Sequence, residues 1–138
     1  MAFDQTLTTS FKQEILLGVH DLETDVLQMA LYVASANLGA DTTVYTTSDE
    51  TIGTGYTAGG NTLTGVTVLI SGTTAYVDFA DTTWDPASFT ARGALIYNAS
   101  KGNKAIAVLD FGSDKTATTT FTVQMPANTA TSALIRIS

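Results

Sequence analysis

The sequence predicts a mainly β protein, an antiparallel sandwich or jelly-roll-like barrel of about six to eight strands with one amphipathic helix at the N-terminus. Three observations predict it. Apolar and polar residues alternate at a period of two through most of the chain after residue 22. The alternating runs are separated by clusters of Gly, Asn, Asp and Ser, which supply turn conformations. Threonine is the commonest residue; its branched Cβ suits a strand and its hydroxyl keeps an outer face wet.

The helix comes first. In TTSFKQEILLGVHDL, Phe11, Ile15, Val19 and Leu22 recur at spacings of four, four and three, with Leu16 flanking, which is the stripe of an amphipathic helix. Thr9 or Ser10 can cap its start, and Ser10 with Gln13 has the capping-box spacing. The helix is expected over residues 9–21, with Gly18 weakening it by about 1 kcal/mol relative to Ala.

Strands follow. VLQMALYVA sets Leu27, Met29, Leu31 and Val33 on one face and Gln28 and Tyr32 on the other. VTVLISGTTAYVDFAD reads as a hairpin in which Val66, Val68 and Ile70 share a face, the chain turns at Ser71 to Thr74, and Ala75, Val77 and Phe79 return. SFTARGALIYNA alternates Phe89, Ala91, Gly93, Leu95 and Tyr97 against Thr90, Arg92, Ala94, Ile96 and Asn98. KAIAVLDFG is apolar on both faces from Ala105 to Leu109, as expected of a central strand covered on both sides. TTTFTVQM sets Phe121, Val123 and Met125 on one face, and SALIRIS ends the chain with Ala133, Ile135 and Ile137. The 138 residues suit a single domain, with residues 1–22 as N-terminal arm and helix and 23–138 as the β-sandwich.

Composition narrows the function classes. Hydrophobic residues make up 44% of the chain and charged ones 14%, with a net charge of -7 and only 6 Lys+Arg. Nucleic acid needs a basic face for its phosphates, and anionic lipid needs the same, so neither nucleic acid nor membrane is an expected partner. Without cysteine there is neither a disulfide framework nor a thiolate zinc site. MAFDQTLTTSFKQEILLG lacks a basic region followed by a long apolar run, so no signal peptide is expected and synthesis is placed in the cytoplasm. No window reaches the roughly 18 apolar residues of a membrane span. The NAS triplet at Asn98 matches a glycosylation acceptor, a match of no weight without a secretion signal.

Three stretches invite chemistry. GTGYTAGGNTLTG, from Gly53 to Gly65, approaches a nucleotide-binding fingerprint, but such a loop needs a helix N-terminus after it, and here a period-two strand from Thr64 to Ile70 follows. Its glycines read as turn formers, with Gly59, Gly60 and Asn61 at positive backbone angles and Gly53 and Gly55 in a loop or bulge, so neither ATP nor a dinucleotide is expected to bind. The single histidine, His20, precedes Asp21 and reads as a surface residue at the helix end; no nucleophile motif accompanies it. HDLETD, with Asp21, Glu23 and Asp25, reads as a solvated acidic turn. In DFADTTWD, Asp78, Asp81 and Asp85 surround the only tryptophan. Such acids could hold a cation, though nothing matches the calcium loop, and Trp84 or Tyr56, if exposed, would suit stacking on a sugar. No catalytic, metal or cofactor residue is assigned, and the chain is expected not to be an enzyme.

FKQEILLGVHDL, LQMALYVASANLGADTTVYT, GTGYTAGG, ARGALIYN and AIAVLDFGSDK, in this order, resemble small virion structural proteins of tailed bacteriophages, of the minor capsid or decoration type. The resemblance spans almost the whole chain and brings no catalytic residues with it. It implies a particle component present in many copies, foremost a head decoration or cement protein that braces the major capsid protein lattice, as a homo-oligomer with a trimer favoured. The alternative it implies is a tail, fibre or adaptor component, receptor- or carbohydrate-binding.

Overall fold

The computed structural model describes residues 5–125 and 132–137. In chain order the elements are β1 (Thr6–Leu7), α1 (Thr9–Leu16), β2 (Leu27–Tyr32), β3 (Asn61–Thr62), β4 (Thr67–Ser71), β5 (Thr74–Asp78), β6 (Thr82–Trp84), β7 (Phe89–Asn98), a 3-10 turn (Ala99–Lys101), β8 (Lys104–Ala117), β9 (Phe121–Val123) and β10 (Arg136–Ile137). They form a five-stranded sheet in the order β1-β8-β7-β2-β3, a three-stranded sheet in the order β10-β5-β4, and the pair β6-β9. Every pairing is antiparallel. The protein is thus mainly β with one helix, in a sandwich-like arrangement, and no barrel closes among the described residues. Ten strands exceed the expected number because β1, β3 and β6, each two or three residues long, lie in stretches where no strand is expected.

The middle of the large sheet is buried on both faces. On one, Leu27, Met29 and Leu31 of β2, Ile96 of β7 and Ile106 of β8 pack with Phe11 of α1, Val77 of β5, Phe79 just after it, Trp84 of β6 and Phe121 of β9. On the other, Ala30, Tyr32, Leu95, Tyr97 and Val108 pack with Ala36 and Leu38 from the long β2–β3 connection. KAIAVLDFG is therefore covered on both sides as its composition requires. VLQMALYVA is covered too, so Tyr32 lies in a second core and not on a wet face.

The single alternation expected through β7 is interrupted. Phe89 and Ala91 share a core with Ala94 and Ile96, whereas Leu95 and Tyr97 face the opposite core. The cause lies in the neighbouring strand: Ala91 pairs with Lys115 and Gly93 with Asp110, so four residues of β8 stand against Arg92 alone. Such a bulge reverses which side chains point inward. Arg92 closes it by reaching Asp110 at 3.3 Å, and Gly112, at φ +84, makes the bend.

The helix is shorter than its stripe. Gly18 sits at φ +74, and the N–H of Val19 bonds back to the carbonyl of Glu14 at 2.9 Å, so glycine ends α1 where it was expected only to weaken it. The start differs as well. Thr8, not Thr9 or Ser10, is the cap; its Oγ1 accepts from the N–H of Phe11 and donates to the carbonyl of Ala105 in β8, which fastens the helix start to the large sheet. Leu22 still reaches the core, from the turn after the helix.

The hairpin follows its expected register, with Val68 opposite Val77 and Ile70 opposite Ala75 across a Gly72–Thr73 loop. Its first strand is not covered: all five residues of β4 are exposed. Toward the C-terminus Ala133 and Ile135 are buried as their alternation requires, but Ile137, read on the same face, is exposed, and Ser138 lies outside the described residues.

Candidate functional site: a groove between the helix and a sheet edge

An open groove of about 410 Å³ runs between α1 and the three-stranded sheet. Phe11, Leu22, Val77 and Ile135 are buried around it, while Ile15 and Gly18 line it from the helix side and Val68 and Ile137 from the sheet. Of its lining residues Ile137 is 57% exposed, and Leu16 and Leu17 at the end of α1 and Ile70 on β4 are exposed aliphatic side chains as well.

A polar network stands behind His20, one of the residues that line the groove. His20, whose ring lies 5.2 Å from that of Phe11, has a fully buried side chain. The Oδ1 of Asn98 accepts from the N–H of Ser100 at 3.0 Å, which orients the amide so that Nδ2 donates to Asp25 Oδ2 at 2.7 Å and to His20 Nδ1 at 2.9 Å. His20 therefore carries its proton on Nε2 and donates to Glu14 Oε1 at 2.9 Å. The expectation of a surface histidine fails because the turn after Gly18 folds residue 20 inward. Ser100 Oγ accepts from the N–H of Val26 at 2.8 Å.

The acids of HDLETD have separate partners, which corrects their reading as a merely solvated turn. Glu23 Oε2 accepts from the N–H of Val68 on the sheet edge at 2.8 Å. Asp25 pairs with Lys101 Nζ at 2.8 Å and accepts from the N–H of Asp21 at 3.0 Å. Burial pushes the Asp25 carboxyl up, but Lys101, Asn98 and the Asp21 N–H outweigh it and hold the pKa down at about 2. A depressed carboxylate contributes stability that is present above its ordinary value of 3.8 and is lost as the pH falls toward 2. Asp25→Asn is expected to remove about 2 kcal/mol at neutral pH and to flatten the pH dependence of the urea midpoint in that acid window. An unchanged slope would refute the pairing.

The glycine stretch is tied down by a second buried carboxylate. Glu50, 7% exposed, accepts from the hydroxyls of Tyr45 (2.7 Å) and Tyr56 and from the N–H of Gly59 (2.8 Å). The Tyr56 oxygen accepts from the N–H of Leu31 in β2 at 2.9 Å, and Tyr97 donates to the carbonyl of Gly59 at 2.6 Å. The amide a phosphate would need is thus held by an internal anion. Gly59 and Gly60 have positive φ as expected, and Gly55 in its loop does too, but Asn61 does not: it belongs to β3 and its Nδ2 donates to the carbonyl of Thr83 at 2.9 Å.

The acids around the tryptophan are not brought together. Asp78 ends β5, Asp81 Oδ1 accepts from the N–H of Met125 at 2.8 Å, and Asp85 is exposed after β6. Among the described residues no three His, Cys, Asp or Glu side chains converge as metal ligands. Trp84 is 4% exposed and packs against Tyr56, Phe89 and Phe121 with ring centroids 6.1 to 6.4 Å apart. It is a core residue because β6 alternates, with Thr82 and Trp84 inward and Thr83 outward; its ring is not open to a sugar, and half-buried Tyr56 packs against it and Phe89. Among the described residues no helix is long and apolar enough to cross a membrane. No family model matches the chain, and comparison with the curated proteins and with the solved structures gives no match.

Proposed function

We propose that the chain is a non-enzymatic virion structural protein of a tailed bacteriophage, a decoration or cement protein that sits in many copies on the head and braces the major capsid protein. The observation that carries this reading is how polar and apolar groups are distributed. The buried polar side chains described here all have hydrogen-bond partners within the chain, while the aliphatic side chains of Leu16, Leu17, Ile52, Ile70 and Ile137 are each more than half exposed. A catalyst needs the reverse, polar groups aimed at an empty cleft; exposed apolar side chains are what an assembling subunit presents to its neighbours. The resemblance to phage virion proteins supplies the particle. The tail or fibre reading drew on Trp84 and Tyr56 as stacking platforms, and both have protein partners. Quantitative mass spectrometry of purified particles of the encoding phage is expected to find the chain in hundreds of copies, on the scale of the coat protein; a handful per particle would overturn decoration in favour of a tail or adaptor role.

A further inference from the structure

Open sheet edges in this fold are short. β1 and β3 at the two ends of the large sheet, and β10 at one end of the three-stranded sheet, are two residues long, and β6 and β9 are three. β4, at the other end of the three-stranded sheet, is the exception among the described residues, with five residues, all exposed. Thr67–Ser71 contains no Lys, no Pro and no bulge, the devices that keep an edge from pairing.

The turn determines which backbone groups face outward. Across the two-residue loop, Ser71–Thr74, Leu69–Tyr76 and Thr67–Asp78 are the hydrogen-bonded pairs with β5. Val68 and Ile70 therefore aim their N–H and C=O groups away from β5, and the bond from the Val68 N–H to Glu23 agrees with that direction.

We propose that β4 is the contact between two copies of this chain, paired antiparallel about a two-fold axis at Leu69. In that register Val68 of each copy stands opposite Ile70 of the other, and each such pair exchanges two backbone hydrogen bonds. The two three-stranded sheets become one continuous sheet. Val68, Ile70 and Ala75 share a face with Ile137, so one aliphatic row continues into the other across the axis.

Charge selects the orientation. The acids nearest the strand, Glu23 and Asp78, lie at its Thr67 end. Antiparallel pairing sends the two sets to opposite ends of the interface, each beside an uncharged Ser71–Thr74 turn; parallel pairing would bring like charges together. Glu23 occupies one of the edge donors, so it leaves Val68 as the pair forms and acts as a brake on it. A five-residue strand spans about 17 Å, and its contact falls short of the roughly 800 Å² per partner of a tight complex. Pairing is accordingly weak in dilute solution and populated where copies are concentrated.

Sedimentation velocity of the full chain across a micromolar to millimolar series tests this, and copy number on particles plays no part in it. A monomer–dimer equilibrium is expected, weakened at least about tenfold by Ile70→Lys and tightened several-fold by Glu23→Ala. Ile52→Lys, which charges a side chain 92% exposed in the β2–β3 connection, should leave it unchanged. Thermal melts establish that each variant folds, and Ile70→Thr replaces the lysine variant if that one does not. A monomer at every concentration, a trimer, or equal responses to the substitutions at residues 70 and 52 overturns the proposal.

Discussion

Gly60→Ala is expected to cost at least about 4 kcal/mol, a loss comparable to the whole stability of many domains this size. The residue sits at φ +79, and a Cβ built on it falls 1.7 Å from the carbonyl oxygen of Met29 and 2.8 Å from the Cα of Ala30. Both are backbone atoms in the interior of β2, so relief requires the loop to lift from the sheet and carries the Glu50 contacts with it. Gly18 separates the two parts of the cost. It has nearly the same φ, +74, and nothing within 4 Å of a Cβ, so Gly18→Ala should lose only the left-handed backbone penalty of about 1–2 kcal/mol. Urea unfolding of the two variants gives the comparison, and equal losses would show that close approach to β2 contributes nothing.

That contrast marks what a sequence can tell about glycine. Both residues advertise a turn, and one of them does end a helix, but the proximity of Gly60 to Met29 is a fact about two segments far apart in the chain. The same limit runs through the fold. The hairpin from Thr67 to Asp78 was legible to its register because a two-residue loop fixes pairing locally. β7 was legible as a strand but not in its facing, because the residues that reverse it, Phe111 to Asp114, are extra residues of its neighbour. The double burial of β2 was hidden for a related reason: Tyr32 looks like part of a wet face until Ala36 and Leu38 of the β2–β3 connection pack in the same core.

Of the groove, the sequence showed the helix wall through Phe11 and Ile15 and the sheet wall through Val68, but not that they face each other. The polar network behind His20 was legible only in part. His20 and Asp25 stood out as ionisable groups close together, while Asn98 and Lys101, which hold them, lie more than seventy residues on. Asn98 carried a different signal, the glycosylation triplet, and no local pattern marks it as the amide that orients a buried histidine. Glu50 is the plainest omission. It is one acid in a polar, threonine-rich stretch, and only the convergence of Tyr45, Tyr56 and Gly59 reveals its role.

Removing that carboxylate should be the second large effect. Glu50→Ala leaves two tyrosine hydroxyls and the Gly59 N–H without their acceptor in a buried site, a loss of about 3–5 kcal/mol. Glu50→Gln keeps the shape and one acceptor oxygen and should cost less. Ionisation of the surrounding tyrosines provides a readout that simple loss of packing would not give. Burial, reinforced by the Glu50 charge, pushes Tyr97 up to about 12 and Tyr32, Tyr45 and Tyr56 higher still. The ordinary value is 10.0. A group whose pKa is raised on folding contributes its full stability below the unfolded value and loses it as the pH climbs above, by about 1.4 kcal/mol per pH unit for each group ionised only in the unfolded chain. With four of the chain's five tyrosines so placed, stability should fall steeply above pH 10, and the rise in tyrosinate absorbance near 295 nm should coincide with loss of circular dichroism. In Glu50→Gln the burial remains but the charge is gone, so tyrosine ionisation in the folded protein should begin at lower pH. Tyrosines that all titrate near pH 10 while the dichroism stays intact would mean that the ring of hydroxyls around Glu50 does not hold the glycine loop to the sheet.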